Sequence, residues 1–171
     1  GELEHGGTWV NMLLQQIEKY RSTRVLKKNR FKSWGYLGAP IYRVPDIGAF
    51  QAELDLGYMA QVDAVWEAFL QIRKPGQKLQ IGIISPFDLF YFGFLGKKNE
   101  VLEILVERTA QELHAIVEKY GAENIRFQLE TPPSNILANL TRGSQKVIDR
   151  IVKRHEHITN EWPPGPEMGV H

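Results

Sequence analysis

The sequence predicts an α/β fold with parallel strands, of the (β/α)8 TIM-barrel type, with only part of the barrel in this chain. Three short apolar segments begin near residues 79, 124 and 167, and long amphipathic helices separate them. Parallel strands need such helical crossovers. A repeat of about 45 residues would give eight units in roughly 350 residues, within the range of enlarged barrels. The 171 residues therefore correspond to one partial barrel domain, 1–171.

Residues 1–57 show weaker hydrophobic periodicity than the rest of the chain. Thr8 can cap a helix whose apolar residues continue to about Tyr20. Residues 21–36 carry six basic and three aromatic side chains without an acid, and we expect an irregular basic-aromatic segment there. Glycine and proline then punctuate the chain, with a short strand expected over 40–44.

From residue 58 the elements are clear. Apolar spacing predicts helices over 58–73, 99–120 and 143–158. The segment 79–84 is short, apolar and rich in β-branched residues, which predicts a strand buried on both faces. A second strand is predicted over 124–130, and a third begins at about Glu167. An open doubly wound sheet is the competing architecture, but no glycine-rich phosphate loop follows any of these strands.

Composition excludes several classes of function. Lys and Arg number 21 against 20 Asp and Glu, so binding of nucleic acid through bulk charge is not expected. The absence of cysteine excludes a thiolate nucleophile or a disulfide within this chain. No apolar run reaches the ~18 residues of a membrane span, and no signal peptide is seen at the start, which has the character of a cut or processed chain. A cytoplasmic protein acting on a small molecule is expected.

Polar residues at the predicted strand ends are the candidates for a site, because the loops that follow barrel strands converge there. They are Ser85, Asp88, Gln128, Glu130 and His171. Gln128 and Glu130 are two residues apart, so both side chains lie on one face of their strand. An acid facing a barrel interior is costly unless it binds substrate or a cation. The alternative is a single acid at a solvated strand end, with Gln128 in a polar core layer.

Two other features have ordinary explanations. His155 and His157 point in different directions on a helix, and a solvated helix end explains them better than a shared metal. The 21–36 segment could bind a phosphate, a polyglutamate tail or single-stranded nucleic acid, although a solvated loop is the simpler interpretation. Serine-hydrolase chemistry has little support, because Ser85 and Ser144 lack the Gly-x-Ser-x-Gly turn.

Four stretches together resemble a known family. They are Gly1-Glu2 followed by Trp9, the strand leading to Ser85-Pro86, the strand that presents Gln128 and Glu130, and the segment from Pro166 to His171. In this order and spacing they resemble the barrels of cobalamin-independent methionine synthase and uroporphyrinogen decarboxylase. The segment from Pro166 to His171 resembles the strand that in those proteins carries a His-x-Cys zinc pair, whereas this sequence ends at its histidine.

The resemblance implies a methyl- or alkyltransferase in which zinc activates a thiol for attack on a methyl donor. It makes His171 a zinc ligand and Gln128 and Glu130 the catalytic residues. Glu2, Trp9, Ser85 and Asp88 would bind the substrate. Two alternatives stay open: a uroporphyrinogen-decarboxylase-like lyase that needs no metal, and a non-catalytic half barrel that assembles with a second copy or a complementing chain.

Overall fold

A computed structural model describes residues 17, 19–27, 41–94 and 99–170 of the chain. Its helices and strands follow one another in the order β1 (Arg24–Lys27), β2 (Ile41–Arg43), α1 (Ile47–Glu53), α2 (Tyr58–Ile72), β3 (Leu79–Ile84), α3 (Pro86–Gly93), α4 (Asn99–Tyr120), β4 (Ile125–Glu130), α5 (Pro132–Leu140), α6 (Gln145–Asn160) and β5 (Glu167–Val170). A short 3₁₀ turn, Ala122–Asn124, joins α4 to β4.

The strands β1 and β2 pair antiparallel, with Arg24 opposite Arg43 and an irregularity before Lys27. The expectation of irregular structure throughout 21–36 is therefore wrong for 24–27. This strand depends on its partner rather than on an apolar pattern of its own, which is why the sequence did not reveal it. Residues 28–36 lie outside the described part.

The other three strands form a parallel sheet in the order β3-β4-β5. β3 and β4 pair without a break from Leu79 opposite Ile125 to Ile84 opposite Glu130. β5 continues the sheet from Glu167, which pairs with Arg126. The predicted α/β class and the parallel direction of these strands are confirmed. The carboxyl ends of the strands meet at one edge of the sheet.

The two faces of this sheet differ. One face carries buried apolar side chains, which are Ile81, Ile83, Ile125, Phe127 and Leu129, and these belong to the core that also includes the inner side of α4. We call it the helix-covered face. On the other face Gln80 is exposed and Gly82, Gln128 and Glu130 are only half-buried, although Ile84 is buried. We call it the polar face. The expectation that β3 is buried on both faces is therefore wrong in its amino-terminal half.

The long helices α2, α4 and α6 match the predicted ones closely. The short helices α1, α3 and α5 were not predicted. Asp46 begins α1, where its side chain accepts the amide of Ala49 at 2.9 Å, and Ser85 with Pro86 begins α3 in the same manner. Serine followed by proline can begin a helix as well as end a strand, so the Ser85-Pro86 pair predicted only the end of β3.

Glu112 of α4 fixes the beginning of α2. Its two carboxylate oxygens accept the backbone amides of Leu56 at 2.7 Å and Tyr58 at 2.8 Å. Between them Gly57 adopts φ +73°, which glycine tolerates at low cost. Burial raises the pKa of Glu112, while these amide hydrogen bonds act in the opposite direction. A carboxylate from one helix therefore caps the amino end of its neighbour.

In the described part of the chain, none of the helices has the length and apolar character that crossing a lipid bilayer requires.

Candidate functional site

The polar face brings together the two residues that the sequence placed on one side of β4. Gln128 donates a hydrogen bond from its Nε2 to Oε1 of Glu130 at 2.6 Å. Their predicted position on a common face is confirmed. A third residue joins them, because Gln80 of β3 donates from its Nε2 to Oε1 of Gln128, also at 2.6 Å. The result is a hydrogen-bonded row that runs from Gln80 through Gln128 to Glu130. We call it the Gln-Gln-Glu row.

Glycines flank the centre of this row. Gly82 of β3 and Gly169 of β5 both pair with Gln128, one on each side. A methyl group added at Gly169 would meet no atom within 4 Å. Glycine weakens a strand interior, and in a regular ladder it often marks a place where a ligand or another chain approaches the backbone. The polar face therefore lacks side chains on both sides of Gln128 and is open at Gly169.

Charged residues border the row at the amino ends of the strands. Glu167 of β5 accepts hydrogen bonds from Arg126, at 2.8 Å for the Nε donor, and forms an ion pair with Lys78 at 2.9 Å. The hydrogen bond from Lys78, followed by that from Arg126, lowers the pKa of Glu167. These groups are substantially exposed, so the cluster contributes little to stability. It separates the polar row from the amino-terminal edge of the sheet.

Ser85 lies at the carboxyl end of β3 but on the helix-covered face. Its amide continues the ladder by donating to the carbonyl of Glu130 at 3.0 Å, so its side chain follows Ile83 in the alternation. The side chain has no exposed surface. Its Oγ lies 3.1 Å from Nε2 of His155 in α6 and 3.4 Å from the amide of Asp88. Ser85 therefore links the first turn of α3 to α6.

His155 is thus more enclosed than the sequence suggested. Its ring packs edge-on against Phe87, and burial lowers its pKa, which favours the neutral imidazole. The expectation of a solvated histidine is wrong for this residue. His157 points elsewhere, as predicted, and its Nε2 lies 3.0 Å from Oε2 of Glu103. Ser85 and His155 form a hydrogen-bonded pair, but the serine hydroxyl is enclosed.

Asp88 is buried in the first turn of α3. It is 2% exposed, and its carboxylate accepts the hydroxyl of Ser134 and, at 3.4 Å, the amide of the same residue. Burial raises the pKa of Asp88 to about 6, against the lowering effect of Ser134. The contact joins the first turns of α3 and α5. The structure thus places Ser85 and Asp88 in one buried cluster at the carboxyl end of β3. The Ser85 side chain lies on the face opposite to Gln128 and Glu130.

The remaining predicted site residues, Glu2, Trp9 and His171, lie outside the described residues. Within 17, 19–27, 41–94 and 99–170, no group of three histidine or acidic side chains is arranged to hold a metal ion. A groove of about 660 Å³ between α4 and α6 includes Glu107, His114 and His157 in its lining. It lies on the helical surface, away from the polar face, and contains none of the predicted site residues.

Three residues of these clusters were not predicted as site residues, and one of them, His155, had been assigned to a solvated helix end. Gln80 could have been found, because alternation along β3 places it on the same face as the polar side chains of β4. His155 and Ser134 carried no such signal, since their contacts depend on how α5 and α6 pack.

Comparisons with protein families, with curated proteins and with solved structures found no match for this chain.

Proposed function

We propose that the chain is a sector of a (β/α)8 barrel whose polar face lines the cavity for a small-molecule substrate. The complete protein would be a methyl- or alkyltransferase of the cobalamin-independent methionine synthase kind. One observation carries the proposal: β3, β4 and β5 are parallel and in register, and the half-buried Gln128 and Glu130 share the polar face near the carboxyl ends of the strands. Barrel enzymes bind their substrates at that end.

In this proposal the residues of the polar face contact the substrate. The Glu130 carboxylate, held by the amide of Gln128, accepts a hydrogen bond or a proton from it. Glu2 and Trp9 contribute to substrate binding on the strength of the resemblance alone. Ser85 and Asp88, which are buried at the carboxyl end of β3, hold the turns there and so support the cavity wall.

The metal part of the proposal depends on His171. Since no group of three candidate ligands occurs in the described residues, this chain's contribution to a zinc site would be the His171 imidazole, and the other ligands would come from elsewhere. Bound zinc lowers the pKa of a coordinated thiol, so that the thiolate can attack an alkyl donor.

Zinc content of the complete protein tests this function. Elemental analysis after dialysis should find one zinc per chain in the wild type. We expect His171→Ala to abolish it, and His157→Ala, which removes a histidine paired with Glu103 on the helical surface, to leave it unchanged. Zinc that survives His171→Ala would contradict the assigned ligand. A wild type without zinc would overturn the transferase proposal and favour the metal-free lyase.

A specific observation favours a second candidate, an assembly module whose sheet is completed by another chain. Met168 and Val170 are 46% and 72% exposed, although they pair with the buried Phe127 and Leu129 on the helix-covered face. A second chain that covers these side chains would protect the edge of β5. Light scattering tests it: an oligomer that Val170→Lys dissociates supports assembly, and a wild-type monomer contradicts it.

A further inference from the structure

We infer that Gln80 is a positioning residue of the polar-face site and acts on Glu130 through the amide of Gln128. Its role in substrate binding rests on the proposed function. Gln80 and Gln128 are joined at 2.6 Å, as are Gln128 and Glu130. Because each link joins one donor to one acceptor, the orientation of one amide constrains the next.

The charge of Glu130 sets the direction of the row. An ionised carboxylate can only accept hydrogen bonds, so Gln128 must turn its Nε2 towards Glu130. The carbonyl oxygen of the same amide then points away, towards β3. There it needs a donor, and Gln80 supplies one with its own Nε2. The opposite orientation of Gln128 would place its oxygen against the carboxylate oxygen.

The strand register explains why Gln80 has this role. The β3 residue that pairs directly with Gln128 is Gly82, which has no side chain. Gln80 lies two residues before Gly82, on the same face of β3, and pairs with Arg126. Its side chain reaches Gln128 diagonally across the space that Gly82 leaves. A diagonal neighbour is within reach of a long side chain on a sheet. Gln80 thus fixes which edge of the Gln128 amide faces the substrate.

Side-chain NMR of the full chain, labelled with ¹⁵N in the glutamine side chains, tests this coupling without any substrate. We expect Glu130→Gln to shift the Gln80 side-chain amide signals, although those residues are not hydrogen-bonded to each other. In a Gln128→Met background the same substitution should leave the Gln80 signals in place. Unchanged Gln80 signals in the single variant, or a shift that persists without Gln128, would overturn the inference.

A second experiment compares two Gln80 variants, one without and one with a hydrogen-bond donor. Gln80→Met removes the donor and should shift the Gln128 amide signals, whereas Gln80→Lys keeps a donor and should restore them towards the wild-type positions. Equal spectra for both variants would contradict the inference. Gln80 is exposed, so both variants should fold, and an unchanged backbone amide spectrum verifies it. A missing zinc site would refute the proposed function and leave this result unaffected, so the two failures are distinguishable.

Discussion

Asp88 gives the sharpest prediction about stability, because its carboxyl group is buried in the first turn of α3. Burial raises its pKa from 3.8 to about 6 in the folded protein, whereas the unfolded chain exposes the group, whose pKa is then about 4. Between these values the folded state holds a proton that the unfolded state releases. The free energy of unfolding contributed by Asp88 therefore falls as the pH rises from about 4 to about 6, and stays low above that range.

The magnitude follows from the difference of about two between the pKa values, which corresponds to about 3 kcal/mol. Asp88→Asn abolishes the titration while keeping a carbonyl oxygen that can accept the Ser134 hydroxyl. We would measure urea unfolding by tryptophan fluorescence between about pH 4 and about pH 7. The stability of Asp88→Asn relative to the wild type should rise by about 3 kcal/mol across this range. The titration of His155 is present in both proteins and cancels in the difference.

A stability difference that stays constant with pH would refute this reasoning, because it would mean that Asp88 ionises alike in both states. Ser134→Ala supplies the control. Its hydroxyl favours the ionised form of Asp88, so its removal should move the titration to higher pH. If Ser134→Ala leaves the window unchanged, the contact between α3 and α5 does not form as described.

Three further predictions concern other contacts, and urea unfolding measures each. Glu112→Ala should lower the free energy of unfolding by about 3 kcal/mol, because two backbone amides at the start of α2 lose a charged acceptor. Glu112→Gln should lower it by about half as much. If the wild type and both variants are equally stable, Glu112 does not cap α2. His155→Ala should cost about 1 kcal/mol through the lost contact with Ser85, and no loss would show that this pair is not formed. Gly169→Ala should raise the free energy of unfolding by about 0.5 kcal/mol, because the added methyl group meets open space. Gly121→Ala should lower the free energy of unfolding, because Gly121 has φ +83°. A large loss of stability in Gly169→Ala would mean that the space beside Gln128 is filled.

The sequence predicted the elements that have a strong period of their own. Apolar spacing located α2, α4 and α6, and short apolar segments located β3 and β4. The short helices were hidden because their starts, such as Ser85-Pro86, also end a strand. The strand β1 was hidden because its stability comes from pairing with β2. Hydrophobic periodicity therefore predicted the elements that bury an apolar face of their own. It did not predict the elements whose formation depends on a helix cap or on pairing with another strand.

The candidate site was predictable to a similar degree. Alternation alone placed Gln128 and Glu130 on one face, and their hydrogen bond confirms it. The same rule places the Ser85 side chain with Ile83, on the helix-covered face, whereas Ser85 was predicted as a site residue from its position at the strand end alone. The pairing of Ser85 with His155 joins residues 70 positions apart and has no local signal.

An experimental structure of the complete protein tests the barrel proposal most directly. We expect further parallel strands that close β3, β4 and β5 into a barrel, with Gln128, Glu130 and the open space at Gly169 facing its interior. Helices packed over Gln128 and Gly169, as in an open doubly wound sheet, would contradict both the barrel and the site on its polar face.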